Sequence, residues 1–307
     1  MAEPKIVVTR RIPEPAVEML REAGDVWVSP DDRPLEVSEL HDAIAGADVV
    51  VTLLHDKVDD AFLDAAGDQL RAVCNVAVGF DNIDVPAATK RGVLVTNTPA
   101  VLTEATADLT IALILAVTRR LIEGDAEVRR TGECIWEPLH LLGTGLQGKR
   151  LGIIGLGRIG QAVAQRARAF GMDVIGVRRG EPLDELLATS DIVSIHAPLS
   201  RETRHLIDAH ALAKMKPGAY LVNTSRGALV DEAALCDALD SGHLRGAALD
   251  VYEREPEVSA RLLTMTNVVL APHIGSATEE ARTAMARIAA TDVRRFLRGE
   301  PPLHVVV

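Results

Sequence analysis

Three residues of different chemical type stand just past three apolar segments of this sequence. Arg226 lies in Asn223-Thr224-Ser225-Arg226-Gly227, Glu255 in Asp250-Val251-Tyr252-Glu253-Arg254-Glu255-Pro256, and His273 in Pro272-His273-Ile274-Gly275-Ser276. Together they carry the groups that reduction of a 2-oxo acid needs. A guanidinium pairs with the carboxylate and polarises the neighbouring carbonyl. An imidazolium donates a proton to the carbonyl oxygen as hydride reaches carbon. A carboxylate beside the imidazole keeps it protonated and oriented. Each residue alone also has an ordinary structural role: Arg226 in a surface turn, Glu255 as a loop charge, His273 as a satisfied loop histidine. The set of three favours chemistry.

Hydride chemistry needs a carrier, and one motif fits a carrier's phosphates. Gly155-Leu156-Gly157-Arg158-Ile159-Gly160 follows an apolar run at 151–154 and opens a helical pattern at 161–170. The first glycine permits a tight turn, the second lets backbone approach a pyrophosphate, and the third lets the helix pack on the strand. The helix N-terminus then presents N–H groups and a positive dipole end. At the end of the next strand an NAD site usually places Asp or Glu to accept from the ribose 2′-OH. Here Val177 is followed by Arg178 and Arg179, and no carboxylate is expected at the strand end; Asp173 precedes the strand. Arginine pairs with a 2′-phosphate instead, so NADP(H) is the expected preference, with NAD(H) possible. Two solvated arginines are the plain alternative.

These residues need elements to position them. Short apolar runs at 5–9, 26–28, 48–54, 71–76 and 93–96 alternate with helical patterns. After a break at Asn97-Thr98-Pro99, one long helical pattern spans 103–130, with Thr103 and Glu104 as an N-terminal cap and early acidic charge. A glycine-containing loop with Trp136 and Pro138 follows. A second alternation begins at Arg150, with strands at 151–155, 173–177, 192–196, 220–223, 247–250 and 268–271. Strands apolar on both faces and separated by helices mean parallel sheets covered on both sides. Two such halves predict two doubly wound α/β domains. The carboxyl ends of the strands in the second half would line a ligand crevice.

Composition narrows the partners. At 307 residues the chain exceeds most single cores. A net charge of −11 argues against nucleic acid and against anionic membrane surfaces. Cys74, Cys134 and Cys236 give neither a disulfide framework nor metal-ligand spacing, so no metal is expected. The first eleven residues lack the apolar region of a signal peptide, and the apolar stretch 109–117 is too short to span a bilayer. A cytoplasmic protein is expected.

At this point the sequence resembles the D-isomer-specific 2-hydroxyacid dehydrogenase family, over essentially the whole chain. The resemblance rests on 155–160, on 223–227 followed by Ala228-Leu229-Val230-Asp231, on 249–256 and on 271–278. It implies a flavodoxin-like substrate domain, residues 1–98 with 284–307, and an inserted Rossmann dinucleotide-binding domain, residues 99–283, crossed at 97–99 and 281–284. It implies a homodimer. It makes Arg226, Glu255 and His273 catalytic. It places Leu53, Val78 and Gly79 with Arg226 and His273 at the substrate. It puts cofactor contacts at Thr103, at Gly155, Leu156, Gly157, Arg158, Ile159 and Gly160, at Arg178 and Arg179, and at Ala197, Pro198, Thr203, Thr224, Asp250 and Gly275. Leu53-Leu54-His55-Asp56-Lys57 and Trp136-Glu137-Pro138-Leu139 look like glyoxylate and hydroxypyruvate reductases, although packing explains Trp136 equally well. The connection after Val177 is shorter than family members usually have, which opens the adenosine end of the site. Other activities stay open: a D-3-phosphoglycerate or D-lactate type dehydrogenase, a phosphite dehydrogenase, or a non-catalytic dinucleotide-sensing corepressor. The substrate half shows no basic cluster for a phosphate, and no added tail for corepression is expected.

Overall fold

Runs of Val, Ile and Ala too short for helices form strands of three to five residues, and each pairs in parallel with its neighbours. The computed structural model describes residues 3–306. It divides into two units, Met1–Leu102 with Ala277–Val307, and Thr103–Ser276. The expected boundaries at 98 and 283 lie within a few residues of these limits. Residues 281–284 cannot be a crossing, because Glu279–Leu297 is one continuous helix whose N-cap Thr278 accepts from Ala281 N–H.

The first unit contains β1 (Lys5–Val8), α1 (Glu14–Arg21), β2 (Asp25–Val28), α2 (Val37–Ile44), β3 (Val49–Thr52), α3 (Asp60–Ala66), β4 (Ala72–Asn75), α4 (Val85–Lys90), β5 (Leu94–Thr96) and the C-terminal helix. Its sheet runs β2-β1-β3-β4-β5, the flavodoxin-like order. Alternate residues of each strand feed opposite faces. Val7, Val50, Val73 and Val95 pack under α2, α3 and α4. Ile6, Val8, Val49, Val51 and Cys74 pack under α1 and Met285, Ala289 and Val293 of the C-terminal helix. This two-sided burial explains the unbroken apolar runs. Buried Asp292 accepts from Leu303 N–H and His304 Nδ1, tying the last residues to the unit.

The second unit contains α5 (Thr103–Thr118), α6 (Leu121–Thr131), β6 (Arg150–Ile154), α7 (Arg158–Ala169), β7 (Asp173–Val177), α8 (Asp184–Thr189), β8 (Ile192–Ile195), α9 (Ala209–Lys214), β9 (Tyr220–Asn223), α10 (Glu232–Asp240), β10 (Gly246–Leu249), α11 (Ala260–Thr264) and β11 (Val268–Leu270). The single helix expected over 103–130 is broken at Arg119–Arg120. Arg120 is left-handed, φ +54°, and the Thr118 carbonyl accepts from Thr144 N–H at 2.7 Å rather than continuing the helix. The sheet runs β11-β10-β9-β8-β6-β7. In local order this is 2-1-3-4-5-6, where the Rossmann arrangement is 3-2-1-4-5-6. The short connection after β7 leads directly to α8, so no third strand flanks β7 and its end lies at the sheet edge. Among the described residues, no helix is long and apolar enough to cross a membrane.

Candidate active site

The carboxyl ends of β6, β8, β9, β10 and β11 share one edge of the second sheet because the strands are adjacent and parallel. At β6 the chain turns through Gly155, φ +99°, where a Cβ would sit 2.7 Å from the backbone of His196 and Ala197. A Cβ on Gly160 would lie 2.2 Å from the Gly155 carbonyl, so the helix can pack there only without a side chain. Gly157 is the N-cap of α7, no side chain caps that helix, and a Cβ at this glycine would meet nothing within 4 Å. Open space above uncapped helical N–H groups is what a pyrophosphate requires, so these residues fit a dinucleotide. Arg158 and Ile159 open α7, and Leu156 packs on Gly176 of β7.

The loop after β9 is built around Asn223. Its Oδ1 accepts from Ser225 N–H at 3.0 Å and its Nδ2 donates to the Arg226 carbonyl at 2.8 Å. Ser225 Oγ donates to the Ala197 carbonyl at 2.6 Å, joining this loop to the end of β8. Arg226 is extended and its Nη1 donates to the Ser225 carbonyl at 2.9 Å. A Cβ on Gly227 would fall 1.8 Å from the Tyr252 carbonyl carbon, so backbone lies directly on backbone. Any larger residue would separate the Arg226 loop from the Glu255 loop.

Glu255 and His273 meet as a pair: His273 Nδ1 lies 2.8 Å from Glu255 Oε2, and both side chains are about one-fifth exposed, 22% and 19%. Glu255 Oε1 accepts from Tyr252 N–H at 3.0 Å. The Tyr252 hydroxyl donates to the Ala271 carbonyl at 2.9 Å, so one residue links the two loops. Burial, helped by Asp250, Glu255 and Glu232, pushes that hydroxyl up to about 12 and keeps it a donor. Asp250 is fully buried and clamps the next turn, one oxygen accepting from Ile274 N–H and the other from Gly275 N–H, each at 2.7 Å. Thr106 Oγ1 donates to the Gly275 carbonyl at 3.0 Å. These bonds hold His273 at φ +54°, a left-handed conformation that costs a non-glycine residue of order 1 kcal/mol.

A second histidine, His196, directly follows β8, its backbone beside Gly155. Burial lowers its imidazole to about 4 and its Nε2 lies 2.9 Å from Ser194 Oγ. Burial thus disfavours the protonated form of His196 that an acid would need.

The remaining expected residues are placed as follows. Thr103 begins α5. The buried Thr224 hydroxyl lies 3.0 Å from Thr110 Oγ1. Ala197 and Pro198 follow β8, and Thr203 Oγ1 donates to the Pro198 carbonyl at 2.8 Å. Leu53, Val78 and Gly79 belong to the first unit. Leu53 N–H donates to buried Asp56, and the Gly79 and Val78 carbonyls accept from Asn75 and Asn97. Trp136 is 84% exposed, which rules out core packing within its own chain. Arg178 directly follows β7 and is exposed, and Arg179 pairs with Glu202. One expectation is corrected: a carboxylate does stand at this strand end. Glu181 Oε2 accepts from Arg178 N–H at 2.6 Å, because a turn through Gly180 brings Glu181 back. Tyr252, Asn223 and Thr106 escaped sequence reasoning as positioning residues. The adjacency of Tyr252 to Asp250 was the available signal.

Known proteins resemble this chain along its length. Glyoxylate reductase of Thermococcus litoralis is 48% identical, with 99% of this chain and 97% of that protein covered. Glyoxylate reductase of Thermofilum pendens is 49% identical, covering 100% and 95%. The crystal structure of the TT0316 protein of Thermus thermophilus superposes with a TM-score of 0.92 at 45% identity, covering 99% and 100%. An NADPH-dependent glyoxylate/hydroxypyruvate reductase of Sinorhizobium meliloti, solved with NADP and malonate, gives 0.84 at 32%, covering 100% and 97%. Residues 111–275 match the model for the D-isomer specific 2-hydroxyacid dehydrogenase, NAD binding domain. With relatives nearly half identical over their whole length, the chain belongs to the D-isomer-specific 2-hydroxyacid dehydrogenase family, whose members are NAD(P)-dependent oxidoreductases.

Proposed function

We propose that this enzyme reduces glyoxylate or hydroxypyruvate to the corresponding 2-hydroxy acid, of D configuration where the product is chiral. The 155–160 turn would hold a reduced nicotinamide dinucleotide, which would supply the hydride. The protein supplies everything else. Arg226 binds the substrate carboxylate and polarises the carbonyl. His273 gives a proton from Nε2 to the carbonyl oxygen, and Glu255, on Nδ1, fixes the tautomer and supports the charged imidazole. Asp250 sets the backbone of the His273 turn. The observation that carries the reading is the 2.8 Å His273–Glu255 pair on a loop interlocked with that of Arg226. The names of the relatives indicate the substrate. Mixing the protein with NADPH and glyoxylate, hydroxypyruvate, pyruvate or 3-phosphohydroxypyruvate should lower nicotinamide absorbance fastest with the first two. Faster turnover of the phosphorylated acid, or turnover of none, would refute the assignment.

NADPH is the preferred cofactor and NADH is accepted. The exposed Arg178 guanidinium at the end of β7 supports this, as does the S. meliloti relative solved with NADP. The protein works as a homodimer. Helix α6 buries none of its residues. Leu121, Ile122, Ile135, Trp136 and Leu139 on it and just beyond are all more than half exposed, a patch that a second copy would cover. Light scattering should return twice the chain mass. A cytoplasmic location accords with three cysteines that form no disulfide.

A further inference from the structure

We infer that Glu181 is a second determinant of cofactor choice, one that opposes Arg178: its carboxylate accepts from a ribose 2′-hydroxyl and repels a 2′-phosphate. This rests on reading residues 155–160 as a dinucleotide site.

The placement follows from the shortened connection. Residues 178–181 form a tight turn in which Glu181 N–H donates to the Arg178 carbonyl at 3.1 Å and Gly180 takes φ +83°. In return, Arg178 N–H donates to Glu181 Oε2 at 2.6 Å. The two bonds run in opposite directions between the same two residues, so the carboxylate is fixed at the strand end. That end is joined to the phosphate turn, since Gly155 N–H and Leu156 N–H both donate to the Val177 carbonyl, at 2.9 and 3.3 Å. The Glu181 carboxylate is therefore bound to Arg178, the residue that follows the one carrying the glycine turn. In this fold a carboxylate at that point reads the 2′-hydroxyl. Sequence position hides it, because the acid lies four residues after the strand's last residue and not at its tip.

Within the turn itself, Arg178 is the cation that stands against Glu181. Arg179 is engaged with Glu202. The Arg178 guanidinium is exposed at the same turn, with no third strand beside it. From this turn a 2′-phosphate would meet Arg178 and Glu181 with opposite charges, whereas a 2′-hydroxyl would meet an acceptor. The turn serves both cofactors, and its preference for NADPH is held down by Glu181.

The test is titration of NADH and NADPH, and of 5′-AMP and adenosine 2′,5′-bisphosphate, onto the full-length protein and two variants. Glu181→Gln keeps an oxygen for Arg178 N–H and removes the charge. It should raise the NADPH:NADH affinity ratio about fivefold, a size set by a partly exposed charge pair. The bisphosphate:AMP ratio should move equally, and the shift should shrink at high salt. Arg178→Ala should move both ratios about tenfold the other way. A Glu181→Gln ratio within twofold of the unmodified protein overturns the inference. Failure of the unmodified protein to bind any of the four compounds overturns the dinucleotide reading and the inference with it. Ratios that shift as expected in a protein inactive on glyoxylate uphold Glu181 and refute only the substrate.

Discussion

Asp250→Asn tests whether the buried carboxylate holds the catalytic turn. Asp250 uses one oxygen for Ile274 N–H and the other for Gly275 N–H, both at 2.7 Å, in a fully buried position. Asparagine keeps one oxygen and sets an NH2 against the second N–H, so one charge-assisted bond is replaced by two facing donors. That loss costs about 1.5–3 kcal/mol. A smaller effect opposes it. Burial pushes the Asp250 carboxyl above its ordinary range, against the pull of the two N–H groups. A raised folded pKa means the native protein binds this proton more tightly than the unfolded chain. Its stabilisation is therefore full at acid pH and lost as pH rises through the folded value. Asparagine never carries the buried charge, so at pH 7 the net loss should be about 1–2 kcal/mol, or roughly 2–8 °C in Tm for a unit of this size. The gap to the unmodified protein should widen toward acid pH. Released from its clamp, His273 relaxes from φ +54°. A displacement near 1 Å at a reacting group costs about a hundredfold in kcat. Thermal unfolding by circular dichroism and initial rates of NADPH oxidation read the two effects separately. A variant with native Tm and kcat within twofold would refute the clamp, and a lowered Tm with intact kcat would confine Asp250 to stability.

Three further outcomes are expected. His273→Ala should lower kcat about a hundredfold or more while NADPH titrates as before; near-normal turnover would remove His273 from the chemistry. Arg226→Lys keeps the charge but loses the two-pronged geometry, so KM for the 2-oxo acid should rise about tenfold or more with Tm unchanged, and an unaltered KM would argue against carboxylate binding there. His196 has its folded value lowered to about 4 from 6.5, so the unfolded chain takes up the proton first and stability falls as pH drops from about 6.5 toward 4. Relative to pH 7, its share of the loss at pH 5 is about 2 kcal/mol. His196→Asn should flatten the decline in Tm over that window, and an unchanged slope would show that burial of this imidazole does not drive it.

The doubly covered parallel sheet of the first unit was legible because its central strands feed both faces: Val49, Val50 and Val51 are all buried. Periodicity failed at Arg119–Arg120. Local spacing there continues a helix, but the Thr118 carbonyl is claimed by Thr144, a partner 26 residues away that no window of sequence contains. The crossing expected at 281–284 failed for the opposite reason. Helical spacing ran on unbroken from Glu279, and a chain cannot change units inside a helix packed on α1.

The three chemical residues were legible because parallel strands deliver whatever follows them to one edge. Residue type and position after a strand singled out Arg226, Glu255 and His273, and the structure places all three on loops at that edge, Glu255 and His273 in contact. What holds them was not legible, since it depends on contacts between loops far apart in sequence. Gly227 must be bare because Tyr252 backbone lies against it, and Asp250 must be an acid because two N–H groups from another loop converge on it. Glu181 shows the same limit on a smaller scale. A carboxylate was sought at the tip of β7, and a turn closed by Gly180 delivered one from further along. Side chains placed by strands can be read by counting. Those placed by turns require knowing where the turn closes, and here that closure puts an acid beside the arginine expected to choose the cofactor alone.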